Sequence, residues 1–85
     1  MVNIHLTSKF RKRIKKYKHL RSKIKQKVAT FQKDPFESSL KTHKLTGKLK
    51  RSWSFSVETN IRILFKFESK NEIIFLDIGT HDIYK

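Results

Sequence analysis

The chain contains no cysteine, which excludes a disulfide framework and any thiolate-ligated metal. Its glycines are Gly47 and Gly79 alone, so no Gly-rich loop exists to cradle a nucleotide phosphate. Acidic residues are also scarce, seven against 21 Lys and Arg. Asp77 and Asp82 stand five apart with no third acid nearby, a poor basis for a two-metal carboxylate site. None of the four histidines has the paired spacing of a zinc motif, and no metal or other cofactor is expected. Ser52, Ser54 and Ser56 lack the Gly-x-Ser-x-Gly elbow of a nucleophilic serine. No apolar run reaches the ~18 residues of a membrane span. The first residues, Val2-Asn3-Ile4-His5-Leu6, alternate rather than form a signal sequence. The expected location is the cytoplasm, without membrane contact.

What the chain does have is positive charge, unevenly spread. Its formal net charge is +14 over 85 residues. Residues 1–33 hold twelve Lys and Arg and no acid, whereas residues 61–85 hold four of each sign. Such a one-sided field attracts a polyanion: nucleic acid, an anionic membrane or an acidic protein. Hydrophobic residues make up 36% and aromatics 12%, enough for one small core despite the charge. A single domain over residues 1–85 is expected.

Alternation of Val2, Ile4 and Leu6 with polar residues predicts a short strand. Thr7 or Ser8 is placed to cap a following helix. Phe10, Ile14 and Tyr17, then Ile24, Val28 and Phe31, recur at helical spacing beneath a basic shell. One uninterrupted helix from Ser8 to Lys33 would run about 39 Å, longer than the ~30 Å breadth of a compact chain this size. A helical hairpin is therefore predicted, broken near Lys18-His19-Leu20, with Ser22 as a cap for its second arm. Asp34-Pro35 ends that arm, because proline cannot continue a helix and restricts its predecessor. Residues 34–50 read as a polar connection. Beyond it the period becomes two. Trp53, Phe55 and Val57 alternate with serines, which predicts a strand with one wet face. Ile61, Ile63, Phe65 and Phe67 mark a second strand, and the nearly continuous apolar run Ile73–Ile78 a third, interior one. Short turns make these three an antiparallel meander with the helices on one face, an α+β fold.

The last strand runs into Gly79-Thr80-His81, which sets an imidazole at a strand mouth. Glycine there permits a backbone turn that swings the following side chains out of the sheet. His43 stands beside Lys44, and Arg62 lies on the face opposite Ile61 and Ile63. His5 and His19 read as ordinary strand and turn histidines, and Trp53 as core. Together His43, Arg62 and His81 form a candidate kit for cleaving RNA, which carries its own nucleophile in the 2′-OH. Imidazoles transfer protons near neutral pH, and a guanidinium forks onto phosphate.

Three segments carry a family resemblance. They are Asp34-Pro35 with Leu40-Lys41-Thr42-His43-Lys44-Leu45-Thr46-Gly47, Arg62-Ile63-Leu64-Phe65, and Ile78-Gly79-Thr80-His81-Asp82. In this order the chain resembles the RelE/ParE toxin superfamily, and within it the YafQ-like branch. The resemblance implies a β-α-α-β-β-β fold and a toxin that cleaves mRNA on the bacterial ribosome without metal. It also implies neutralisation by a cognate acidic antitoxin. It assigns His81 as catalytic, His43 as its partner, Arg62 as the strand arginine, and Tyr84 as the nearest match to a C-terminal aromatic. Lys44, Lys50 and Arg51 would contact RNA near the site, while Lys12, Lys15 and Lys16 would hold ribosomal RNA. Two departures stand out. The family aromatic falls four residues after the histidine, where this chain has Lys85. Ser56 and Asn60 occupy places where YafQ-type enzymes carry a histidine and an aspartate. A gyrase-poisoning ParE-like toxin and a non-catalytic RNA-binding module are the alternatives on the same fold.

Overall fold

The computed structural model describes residues 1–47 and 51–84. Five strands form one mixed sheet: β1 (Asn3–Leu6), β2 (His43–Lys44), β3 (Trp53–Glu58), β4 (Ile61–Ser69) and β5 (Glu72–Gly79), in the order β1-β5-β4-β3-β2. The expected meander is β3-β4-β5, antiparallel throughout. To it the fold adds β1, parallel to β5, and β2, a two-residue strand antiparallel to β3. The predicted polar connection thus contains a strand. β2 is too short for periodicity to reveal, and its pairing with β3 is a long-range fact.

Two helices, α1 (Ser8–Ile14) and α2 (Arg21–Lys33), are joined by a 3₁₀ segment, Lys15–Leu20. Thr7 caps α1, its hydroxyl accepting from the Phe10 N–H at 3.1 Å while donating to the carbonyls of Phe75 and Leu76. One side chain therefore starts the helix and ties it to β5. The break is centred on Tyr17, at φ −114° and ψ 34°, slightly before the expected Lys18-His19-Leu20. Leu20, not Ser22, stands at the N-cap of α2 and supplies no side-chain cap. With no Gly or Pro there, the break follows from size. The molecule measures 31 × 29 × 25 Å, so an unbroken helix would overhang its own core. Asp34 leaves the helical region at φ −155°, as Asp34-Pro35 predicted. No helix among the described residues is long and apolar enough to cross a membrane.

The core lies between the helices and one face of the sheet. Phe31 of α2 is fully buried, stacked on Phe55 at 4.4 Å and edge-on to Phe65 and Phe75 at 4.9 and 5.6 Å. Trp53 belongs to a smaller cluster with Phe36 and Phe67 at the rim of this core, consistent with its expected packing role. Asp77 interrupts the apolar run of β5 and is only 3% exposed. Its carboxylate faces Lys9 and Arg13 of α1 at 3.5 and 3.9 Å and accepts from the Ile78 N–H. A buried carboxylate without such partners would be costly. Leu76 is an extra residue where β5 pairs with β4, and Val57 where β3 does. These two bulges locally re-aim the side chains of the strands.

Candidate functional site

Phe55, Ile63 and Phe65 face the helices, so alternation sends Ser54, Ser56, Arg62 and Leu64 to the opposite face. The segment following β5 folds onto that face. His81–Tyr84 form a single 3₁₀ turn packed on β4 and β5. Gly79 permits this by its size. It is not among the positive-φ residues, but a Cβ there would lie 2.7 Å from Ile83 Cγ2 and 3.6 Å from the Tyr17 hydroxyl. The expected role of Gly79 as a source of unusual backbone angles is thus replaced by one of close approach. Under the turn the expected wet face of β3 is dry at Ser54, which is fully buried, while Ser56 stays partly exposed.

His43 is presented by β2 opposite Ser54. Just before it, Lys41 adopts φ 52°, the one non-glycine residue with positive φ among those described, closing the 3₁₀ turn Ser38–Leu40. Glu37 caps that turn by accepting from the Ser39 N–H at 2.9 Å and from the Ser39 hydroxyl. The Ser39 side-chain and backbone hydrogen bonds hold the Glu37 carboxyl below the usual carboxylate range. The cap therefore contributes above that range and is lost as pH falls through the lower folded value. The Lys41 carbonyl accepts from His43 Nδ1 at 3.0 Å. A carbonyl only accepts, so Nδ1 carries a proton, and in the neutral ring Nε2 is the nitrogen left with a lone pair.

From His43 a chain of contacts crosses the sheet. Its Nε2 lies 3.5 Å from Ser54 Oγ, at the long end of hydrogen bonding. Ser54 Oγ is 2.8 Å from the Tyr84 hydroxyl. The Tyr84 ring stands edge-on to His81, centroids 5.6 Å apart. Arg62 Nη1 is 2.6 Å from His81 Nε2 and 3.2 Å from Nδ1. Guanidinium only donates, so the nearer imidazole nitrogen accepts. Arg62 itself is set on β4 between Ser56 and Gly79. Two imidazoles and a guanidinium thus share one face, which can supply a proton acceptor, a proton donor and a phosphate ligand.

The structure brings His43, Arg62, His81 and Tyr84 together, although Tyr84 stands one residue short of the family register. It divides the other predicted contacts. Lys44 and Arg51 line a separate concavity with Leu45, Thr46 and Gly47. Lys50 and Lys85 lie outside the described residues. Lys12, Lys15 and Lys16 are exposed on α1 and the segment after it. His5 pairs with Glu72 at 3.0 Å, and His19 lies near Tyr17 at the helix break; neither joins the cluster. No group of three or more His, Asp or Glu side chains suited to a metal occurs among the described residues. The bridging place of Ser54 between His43 and Tyr84 is not apparent from its lack of a nucleophile motif. The available signal was its place on the face opposite Phe55, where β3 neighbours the strand carrying Arg62.

Residues 2–84 match the family described as a bacterial toxin of type II toxin–antitoxin systems, YafQ. Among curated proteins none matches this sequence. Among solved structures, YafQ from E. coli strain BL21(DE3) is similar at 19% identity and TM-score 0.80, covering 99% of this chain and 98% of that one. YafQ in the E. coli DinJ–YafQ toxin–antitoxin complex is similar at 22% identity and TM-score 0.75, covering 96% and 94%. A copper-bound mutant toxin from Helicobacter pylori is similar at 22% identity and TM-score 0.78, covering the whole of both chains. At these identities the structural likeness is one of fold, whereas the family match spans nearly the entire sequence. The chain belongs to the YafQ family of bacterial toxins of type II toxin–antitoxin systems.

Proposed function

We propose that this toxin is an endoribonuclease that cuts mRNA on the translating ribosome by transesterification. The observation that carries the proposal is the convergence of His43, Arg62 and His81 on one face, linked through Ser54 and Tyr84. In this reading the 2′-OH attacks the adjacent phosphorus while the bond to the 5′-oxygen of the next nucleotide breaks. The products are a 2′,3′-cyclic phosphate and a 5′-hydroxyl. His43, with Nδ1–H committed to the Lys41 carbonyl, offers Nε2 to take the 2′-OH proton. Arg62 moves its N–H donors from His81 to the phosphate, the freed imidazole nitrogen takes a proton from solvent, and His81 passes it to the leaving oxygen. The substrate provides its own nucleophile, so these groups complete the reaction without a metal. Ser54 and Tyr84 act as positioning residues.

Primer extension on a translated reporter mRNA tests this. Expected are discrete cuts that vanish when translation is blocked. Intact mRNA with DNA-damage signalling would instead identify a gyrase poison and overturn the proposal.

Family likeness also supports a cognate acidic antitoxin as partner, seated on the exposed helical surface and a sheet edge, the latter by strand addition. Neutralising Lys12, Lys15 and Lys16 together is expected to weaken ribosome co-sedimentation, most at low salt, where charge contacts are least screened. Unchanged association would exclude that role. Gly79→Ala is expected to overpack the terminal turn against Ile83, whose β-branched side chain has few rotamers. A stability loss of about 1–3 kcal/mol should accompany a marked loss of cleavage, because His81 and Tyr84 ride on that turn. Chemical denaturation beside the cleavage assay separates the two effects.

A further inference from the structure

A second cleft, about 270 Å³, opens beside the cluster near the turn between β3 and β4. Lys23, Lys27, Lys41 and Arg62 line it with Glu58 and Ser56. Glu58 offsets one of the four positive charges, lying 3.8 Å from Lys23. β2 pairs only with Trp53 and Ser54, so α2 and the Ser38–Lys41 segment border the remaining edge of β3. Lys23 and Lys27 are four residues apart and so share a face of α2. No acidic residue occurs in this helix, and like charges at that spacing destabilise it. An anion held between them would relieve that repulsion.

Arg62 belongs to both places. Its Nη1 contacts His81, yet it also lines this cleft. Its Nε is buried with no hydrogen-bond partner among the described residues, an unused donor beside three lysines. The lining is polar apart from Val57, which suits a sugar–phosphate backbone better than the apolar side chains of a docking peptide. We infer that this cleft binds the phosphodiester neighbouring the scissile one, so that substrate RNA runs from His81 across Arg62 to Lys23 and Lys27. The inference rests on the endoribonuclease reading for which phosphate is cut, but not for binding itself.

The test uses the full chain and a short single-stranded oligonucleotide with 2′-deoxy sugars, which keeps the phosphates and lacks the nucleophile. Wild type, Lys23→Ala/Lys27→Ala and Lys25→Ala are compared by fluorescence anisotropy across a salt series, with circular dichroism confirming the fold. Lys25 is a control on the same helix that lines a different groove. Expected in the double variant is weaker binding and a log K against log salt slope shallower by roughly 0.7, one single-strand phosphate contact. Neutral methylphosphonate at one internal position should weaken wild type and leave the double variant unaffected. An unchanged slope, or an equal change in Lys25→Ala, would overturn the inference. So would loss of affinity for a polyglutamate peptide with oligonucleotide binding intact, which would mark a carboxylate site. Wild type that binds in this lysine-dependent way but never cuts mRNA refutes the nuclease reading alone. Wild type that cuts, with a double variant that binds and cuts equally, refutes the cleft alone.

Discussion

Replacing His81 by alanine is expected to reduce mRNA cleavage by roughly 10²–10⁴-fold, the usual contribution of a positioned proton-transfer group, while leaving the fold intact. His81 is exposed on a terminal turn and lies outside the buried core. Its contacts are with Arg62 and the Tyr84 ring. The variant therefore removes a proton donor and frees Arg62 without opening a cavity. Inducible expression with primer extension and growth curves provides the measurement, and thermal unfolding provides the control. A His81→Ala protein that cuts at the wild-type rate would remove His81 from the chemistry and return the role to His43. Glutamine at the same place is a useful companion, because it keeps hydrogen bonding to Arg62 and cannot shuttle a proton. An effect as large as that of alanine would separate proton transfer from positioning.

Phe31→Ala is expected to give the largest stability loss of any single change considered. A buried phenylalanine cut to alanine costs about 3–5 kcal/mol, through lost transfer energy and the cavity left behind. Phe31 is the place where the helical layer meets three strands at once, touching Phe55, Phe65 and Phe75. Aromatic pairs add about 0.5–1.5 kcal/mol each beyond area burial. Small domains are stable by only about 5–15 kcal/mol, so the variant should be largely unfolded at growth temperature and non-toxic for that reason alone. Urea titration followed by far-UV circular dichroism checks this. A midpoint within experimental error of wild type would mean that the strands pack without α2. Phe36, 54% exposed at the rim cluster, is the matched comparison and should cost far less.

Much of this molecule was legible in its residues because the signals involved are local. Period-two alternation marked β3 and β4, the apolar run marked β5, and Thr7 and Asp34-Pro35 marked helix ends. The charge imbalance pointed to a polyanion, and the segments around His43, Arg62 and His81 carried the family. Other features escaped because they depend on distant partners. Two-residue β2 exists only against Ser54 and Trp53. Asp77 reads as a misfit in an apolar strand until Lys9 and Arg13 of α1 are placed beside it. Tyr84 looked out of register when counted from His81, but a 3₁₀ turn brings both onto one surface. Counting along a chain assumes an extended or helical path that this turn does not follow.

By itself the sequence determined the α+β class, the types of the longer elements, the strongly basic surface and the identity of the groups able to move protons and bind phosphate, since each follows from composition or short-range periodicity. Only the tertiary structure decided that His43, Ser54, Tyr84, His81 and Arg62 form one connected path, and that Lys23 and Lys27 face the same cleft as Arg62. It also decided that Gly79 serves close packing. These are matters of which strand lies beside which, and of where a turn folds back. Such choices arise from burying one core among all elements at once, which no local stretch of residues encodes.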